Sequence, residues 1–417
     1  MNGVTLQADH EGAPSFVVFS DDWGEHMSSS QHLFRRIASQ HQVLWVNTIG
    51  MRVPTLSWSD ARKAWRKVGK TWRNSRARAQ DPAEGLRLRV TQPFMLPYSG
   101  IGAVRSFNRR SVIRGVCRGA GELGMRSPIV VATVPNACDY VSRLGAAKIV
   151  YYCVDDFAQW PGLEHGLVRS MERDLIARSD LLLASSQHLY QTLAASGKPV
   201  RLLTHGVDLA LFAQVAPAEH ECLARIPQPR AGYFGLIDER TDQELLVSVA
   251  SAMPRFSFVL TGPVTADTAR LRRLPNVHFT GAVEYSRLPA LIRGLDVLFI
   301  PYGVNDFSAS ISPLKLKEYL ATGKPVVSTP LPEVLLQQQY VTIAASVQAW
   351  QAALNDSLAL DAAARRQLMA GVLAGESWER KAAMFLNICC GMQERAAAVP
   401  QEGPRAAGGQ QSASACS

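Results

Sequence analysis

Runs of four to seven consecutive apolar residues, set apart by stretches of helical periodicity, recur from one end of this chain to the other. In the first half they are Phe16–Phe19, Val43–Asn47, Ile129–Ala132, Ile149–Val154, Leu181–Ala184 and Val200–Leu203. In the second they are 231–237, 256–261, 277–280, 296–300, 325–329 and 341–344. A strand with one wet face alternates apolar and polar residues; these do not, so both faces must be covered. Helical patterns fall between them near 28–40, 105–118, 137–144, 166–178 and 187–196, then 241–252, 286–294, 312–322 and 346–355, with 361–373 and 377–391 at the end. Strands buried on both faces and separated by helices predict parallel sheets in an α/β, doubly wound fold. A length of 417 residues suits two such domains.

Boundaries follow from composition. Residues 1–14 are polar and predict a flexible N-terminus. A first Rossmann-like domain spans 15–208, interrupted at 51–85 by a basic insertion that breaks the strand-helix alternation. Pro217, Pro227 and Pro229 mark a linker leading into a second domain, 209–375. A last helix occupies 376–393, and 394–417, rich in Ala, Gly, Gln and Ser, predicts a disordered tail.

The stretch Ser310–Thr329 concentrates strand, turn and helix signals. Asp296–Pro301 reads as a buried strand and its stop. Ser312 is a favourable N-cap, Pro313 suits a first helical position, and Gly323 closes the helix. The unpaired amides at such a helix start, with the positive end of its dipole, suit a diphosphate. Glu318, further in, is placed to accept hydrogen bonds from a ribose diol. The same residues also fit a plain capped surface helix with Lys315 and Glu318 in solvent, and local physics does not separate the two.

Ser312-Pro313-Leu314-Lys315-Leu316, Glu318-Tyr319-Leu320-Ala321 and Gly323-Lys324-Pro325-Val326-Val327 resemble the nucleotide-sugar signature of family 4 glycosyltransferases of the GT-B fold. The closest subgroup in pattern makes teichuronic acid and exopolysaccharide. Gly232-Tyr233-Phe234-Gly235, Leu260-Thr261-Gly262-Pro263, Pro275–Gly281 and Leu288-Pro289 follow in the family's order. The resemblance implies two Rossmann-like domains facing a central cleft and a C-terminal helix, starting near Ser377-Trp378, that crosses back to the first domain. It implies transfer of a hexose, with retention, from a UDP- or GDP-linked sugar. That sugar nucleotide is a co-substrate; no cofactor and no essential metal are expected.

Donor-side residues implied by the resemblance are Gly235, Val283, Tyr285, Ser310, Ser312, Pro313, Leu314, Lys315 and Glu318, with Arg240 at the leaving diphosphate. Asp155 and Asp156, beyond a strand end, match an acidic segment of similar enzymes and are taken as catalytic. Asp22, Trp23 and His205 are placed on the acceptor side. Two departures stand out. Asp242 occupies the position where a Lys is usual, leaving Lys315 as its substitute, and Ser310 stands where the family carries a Glu. The Ser310 change keeps open a catalytically degenerate scaffold that binds sugar nucleotide without turnover; an epimerase or phosphorylase of the same fold is a third reading.

Charge is divided unevenly. Residues 1–215 hold 26 Lys and Arg against 17 Asp and Glu, whereas 216–417 hold 18 of each. The excess peaks at 62–78, where eight cations occur without an acid. Trp58, Trp65 and Trp72 recur every seventh residue among them, with Arg66, Lys67, Lys70 and Arg73 alongside. Tryptophan with Lys and Arg on one helix predicts a segment lying in an anionic membrane interface; the alternatives are tryptophans covering the domain's own core, or a mobile loop. Nucleic acid is not expected as partner. Seven scattered cysteines without paired spacing predict reduced thiols. Neither a cleavable leader nor a spanning run is visible, so the expectation is a cytoplasmic protein, peripheral on the inner face of the cell membrane, acting on a lipid-linked or polysaccharide acceptor.

Overall fold

The computed structural model describes residues 13–24, 27–48, 85–96 and 100–391. Trp58, Trp65, Trp72, Arg66, Lys67, Lys70 and Arg73 lie outside them, as do nearly all of the insertion and the tail. Seven strands of the first half form one sheet: β1 (Phe16–Ser20), β2 (Val43–Asn47), β3 (Leu88–Thr91), β4 (Ile129–Ala132), β5 (Lys148–Cys153), β6 (Leu181–Ala184) and β7 (Val200–Leu202). Their spatial order is β3-β2-β1-β4-β5-β6-β7, and every pairing is parallel. The second sheet comprises β8 (Arg230–Phe234), β9 (Ser257–Thr261), β10 (Val277–Gly281), β11 (Val297–Ile300), β12 (Val326–Ser328) and β13 (Thr342–Ile343). It is also parallel throughout, ordered β10-β9-β8-β11-β12-β13.

The unbroken apolar runs have the cause the sequence suggests. In β1, Phe16 and Val18 enter one core while Val17 and Phe19 enter the core on the opposite face. β3 was not expected. Its Leu-Arg-Val-Thr alternation belongs to an edge strand with one face outward, a pattern weaker than a run of apolar residues. The helix expected at 137–144 is instead two 3-10 turns, Pro135–Asp139 and Val141–Arg143. Short helices at Asp306–Ala309 and Pro332–Leu335 were likewise not foreseen.

The last helix, Trp378–Cys390, crosses back onto the first domain. Ser377 caps it by accepting from the Arg380 amide, and Gly391, at φ +66°, ends it. Phe385 is fully buried against Phe16 and Phe34, at ring separations of 5.9 and 5.4 Å. Trp378 stacks on His32 at 4.9 Å. Under it runs the chain between the domains. A Cβ on Gly206 would stand 2.7 Å from the Trp378 ring, so only glycine passes there. The Val207 amide donates to Glu376 O and the Trp378 amide to Val207 O, joining linker and crossing segment directly.

Phe385→Ala should therefore loosen the crossing helix from the first domain. The expected cost is about 3–5 kcal/mol, read as an earlier first-domain transition in urea denaturation, with the second-domain transition unmoved.

Candidate functional site

In an open parallel sheet the strand order reverses at one point, and the loops leaving the two adjacent strands diverge to leave a crevice. Here those points fall between β1 and β4, and between β8 and β11. The loops after β8 and β11 carry Gly235 to Arg240 and Pro301-Tyr302. The loop after β1 carries Asp21 to Trp23, and β5, one strand further, ends at Asp155-Asp156.

Lys315 projects from the helix Leu314–Ala321 over the end of β8, close enough that a Cβ on Gly235 would overlap its Cε. Gly235, at φ +132°, thus serves both backbone turn and side-chain approach. Lys315 Nζ donates to Tyr302 Oη at 2.9 Å and lies 5.2 Å from the Tyr233 ring centre. On the same Tyr302 ring rests Arg240, its Cζ 5.6 Å from the centroid. Burial would raise the Tyr302 pKa, but Lys315 and Arg240 outweigh it and hold the phenol below its ordinary value. Asp238 grips Arg240 in a fork, with Nε to Oδ1 at 2.9 Å and Nη2 to Oδ2 at 2.6 Å. Burial opposes the Arg240 charge, but Tyr302 and Asp238 more than offset it and keep the guanidinium firmly protonated. Two cations thus share one aromatic floor. Asp242 caps the helix Gln243–Ala252 by accepting from the Leu245 amide at 2.9 Å.

The helix start differs from expectation in detail. Pro313, extended at ψ 112°, is itself the N-cap; Leu314 is the first helical residue, and no side chain caps the turn. Ser312 is not the cap, because the unforeseen helix Asp306–Ala309 runs up to Ser310 and leaves too few residues to place its hydroxyl there. Among the described residues no side chain caps the first-turn amides. Ser310 is buried and donates to Phe307 O at 3.3 Å, so its hydroxyl is spent inside its own turn.

Glu318 sits one helical step from Lys315 on the same side and is buried, at 6% exposure. Tyr285 Oη donates to it at 3.4 Å. Burial lifts its carboxyl pKa to about 7, with Lys315 and Tyr285 pulling the other way. Val283 packs half-buried on the second-domain core beside Tyr285, whose ring touches Phe212 at 5.6 Å and His32 of the first domain at 5.3 Å.

Across the cleft Asp155 faces Arg240. Burial raises the Asp155 carboxyl to about 6, and the Arg240 guanidinium holds it from rising further. Its Oδ1 accepts from the Asp156 amide at 2.9 Å, and Asp156 in turn accepts from the Ala158 amide at 3.1 Å, capping a 3-10 turn. Asp22 is half-buried at the end of β1, its carbonyl accepting from Gln31 Nε2. Trp23 and His205 both turn inward. Trp23 is a core residue, 7% exposed and edge-on to Trp45 at 4.8 Å, because the apolar ring finds its best partner inward. His205 is buried at the domain joint; burial first, then Lys317 and Lys381, lower its pKa to about 3, so it stays neutral there. Sequence reasoning missed Tyr302. Its signal was a polar aromatic immediately after the strand-ending Pro301. Among the described residues no group of three or more His, Cys, Asp or Glu could hold a metal ion.

Two doubly wound domains, a crossing C-terminal helix and a cationic cradle at the second switch point define the GT-B glycosyltransferase architecture. Within it, residues 228–359 match the family described as Glycosyl transferases group 1, so the second half carries a glycosyltransferase domain. Over 185 residues the chain is 30% identical to TuaH of Bacillus subtilis (strain 168), a protein named for a glycosyltransferase role in teichuronic acid biosynthesis; the match takes in 42% of this chain and spans about half, 47%, of that relative's length. Sucrose-phosphate synthase from Thermosynechococcus elongatus superposes with a TM-score of 0.64 at 15% identity, over 90% of this chain and 98% of that one. Anabaena HepE, solved in complex with UDP and glucose, does so with a TM-score of 0.59 at 13% identity, over 90% and 99%. At such identities the likeness concerns the fold.

Glu318→Ala should weaken donor affinity by about 1.5–3 kcal/mol, the scale of a hydrogen bond to a charged group, by calorimetry with a sugar-nucleotide panel. The pH dependence has a definite sign. A carboxyl raised from 4.5 to about 7 favours the empty folded protein below the lower value, and that contribution is lost as pH rises through the upper one. A ribose diol needs the ionised acceptor, so donor affinity should rise between about pH 6 and about pH 8 in the native protein, and stay flat in Glu318→Gln.

Proposed function

We propose that this protein transfers a hexose from a UDP- or GDP-linked donor to a polysaccharide or membrane-associated acceptor in cell-surface polysaccharide synthesis, with retention, as a family 4 glycosyltransferase. The observation that carries the reading is the convergence of Arg240 and Lys315 on Tyr302, over Gly235, with Glu318 buried a turn away. In this reading the diphosphate lies between the two cations and the open first turn at Leu314. The ribose binds Glu318, and the base lies toward Val283 and Tyr285. As the bond between the anomeric carbon and the diphosphate breaks, the departing oxygen takes the electron pair, and fixed cations stabilise the charge. Asp155 and Asp156 stand on the acceptor side, opposite Arg240. Ser310, with its hydroxyl turned into the backbone, leaves the donor's sugar hydroxyls without the charged partner the family supplies. That feature sustains the second reading, a scaffold that binds sugar nucleotide without turnover. Release of nucleoside diphosphate from a donor panel in the presence of polysaccharide acceptors supports the enzyme; donor binding without transfer or hydrolysis supports the scaffold.

The same reading puts the first domain against the membrane. Its basis is the sequence of the 58–78 segment and the charge division, +9 before residue 216 and zero after it. No helix among the described residues is long and apolar enough to cross a membrane. Co-sedimentation should occur with anionic vesicles and not neutral ones, and fall as the Debye length shortens from ~10 Å at 0.1 M salt to ~3 Å at 1 M. Exchanging Trp65 and Trp72 for Ser should weaken binding with less salt sensitivity, since rings contribute apolar burial. Equal binding to both vesicle types, or to neither, would favour a soluble acceptor.

A further inference from the structure

A groove of about 550 Å³ runs down the outer edge of the first domain, between the helix Gly102–Glu122 and the segment continuing from β3. Arg110, Arg114 and Arg118 line it. Their four-residue spacing puts the three guanidinium groups on one face, about 6 Å apart along the axis. Like charges at that spacing repel, which costs the helix stability unless an anion is present. Other arginines here are neutralised internally: Arg105 forks onto Asp139 at 2.6 and 2.9 Å, and Arg89 pairs with Glu122. The three groove arginines are exposed and have no ion pair among the described residues.

The groove also has an aromatic end. Phe94 and Phe107 line it edge to face, 6.0 Å apart, at 38% and 44% exposure. Exposed phenyl rings beside a row of arginines mark a contact surface, and their faces suit the apolar side of a pyranose. The helix begins beside Gly100, whose Cβ position is 3.9 Å from a Glu164 carboxylate oxygen, on the loop that continues from Asp155 and Asp156.

We infer that this groove binds an acidic glycan, a chain of sugars bearing carboxylates, as an earlier-built part of the acceptor. The inference rests on the transferase reading for the word acceptor, but not for the binding itself. Guanidinium forks match carboxylates in pairs, and a repeated charge along a groove matches a repeated charge along a polymer. A concave site accommodates a single chain, whereas a lipid surface needs a flat or convex face.

Calorimetric titration of the full chain with a long oligogalacturonate tests this, with a neutral glucan of equal length and phosphatidylglycerol vesicles as comparison arms. Native protein should bind the oligogalacturonate in a salt-sensitive way and ignore the neutral glucan. The variant Arg110→Gln with Arg114→Gln and Arg118→Gln, all on an exposed face, should unfold at the same temperature or slightly higher, since the repulsion is relieved, and bind about tenfold more weakly or worse. Because binding is read without turnover, absence of transferase activity leaves the result interpretable. No oligogalacturonate binding, or equal binding by native and variant protein, overturns the inference. So does a variant that loses only vesicle binding, which would make this face a membrane contact.

Discussion

A half-buried cation at the joint between the domains sets the geometry of everything on either side of it. Lys317 Nζ meets the Glu376 carboxylate, donates to Thr204 Oγ1 at 3.0 Å and to His205 O, and so binds the signature helix to both chain crossings. Lys381 from the crossing helix joins the same carboxylate at 2.9 Å and Thr204 at 2.9 Å. Burial lowers Lys317 to about 8 despite Glu376, so the charge is kept only because its partners are in place. Removing Glu376 would leave two cations enclosed together, which is why this cluster specifies domain placement more than it adds stability.

The helical period then divides the labour of one short helix. Lys317 points to the joint, while Lys315 and Glu318, three residues apart, share the side facing the cationic cradle around Tyr302. Fixing one face fixes the other. Gly235 and Gly262 complete the arrangement, because a Cβ on Gly262 would overlap Gly235 O and one on Gly235 would displace Lys315. Pre-positioned cations of this kind act on a leaving charge without first reorganising. The raised carboxyls of Glu318 and Asp155 are the counterpart: both have given up solvent to lie beside the cleft.

Much of the fold was legible because parallel strands buried on both faces write themselves as apolar runs, as in Leu181–Ala184 and Val297–Ile300. β3 was not, since Leu88 and Val90 alternate with Arg89 at a sheet edge. The helix Leu314–Ala321 was legible from its contiguous signature, although its cap falls one residue later than Ser312 suggested. The site was not legible where contacts join distant segments. Thr204, Lys317 and Glu376 are far apart in sequence, and nothing local in any of them announces the other two. Trp23, placed on the acceptor side by the resemblance, packs edge-on to Trp45 with most of its ring buried, a contact no local pattern announces.

The central claim is that one face of the helix Leu314–Ala321, together with the loop after β8, holds the sugar nucleotide. A crystal structure of the protein with a bound non-hydrolysable sugar nucleotide tests it most directly. The account predicts the diphosphate against Lys315, Arg240 and the first-turn amides of that helix, with the ribose hydroxyls on Glu318 and Lys315 released from Tyr302. A nucleotide bound at the first-domain switch point, or one whose ribose makes no contact with Glu318, would contradict it.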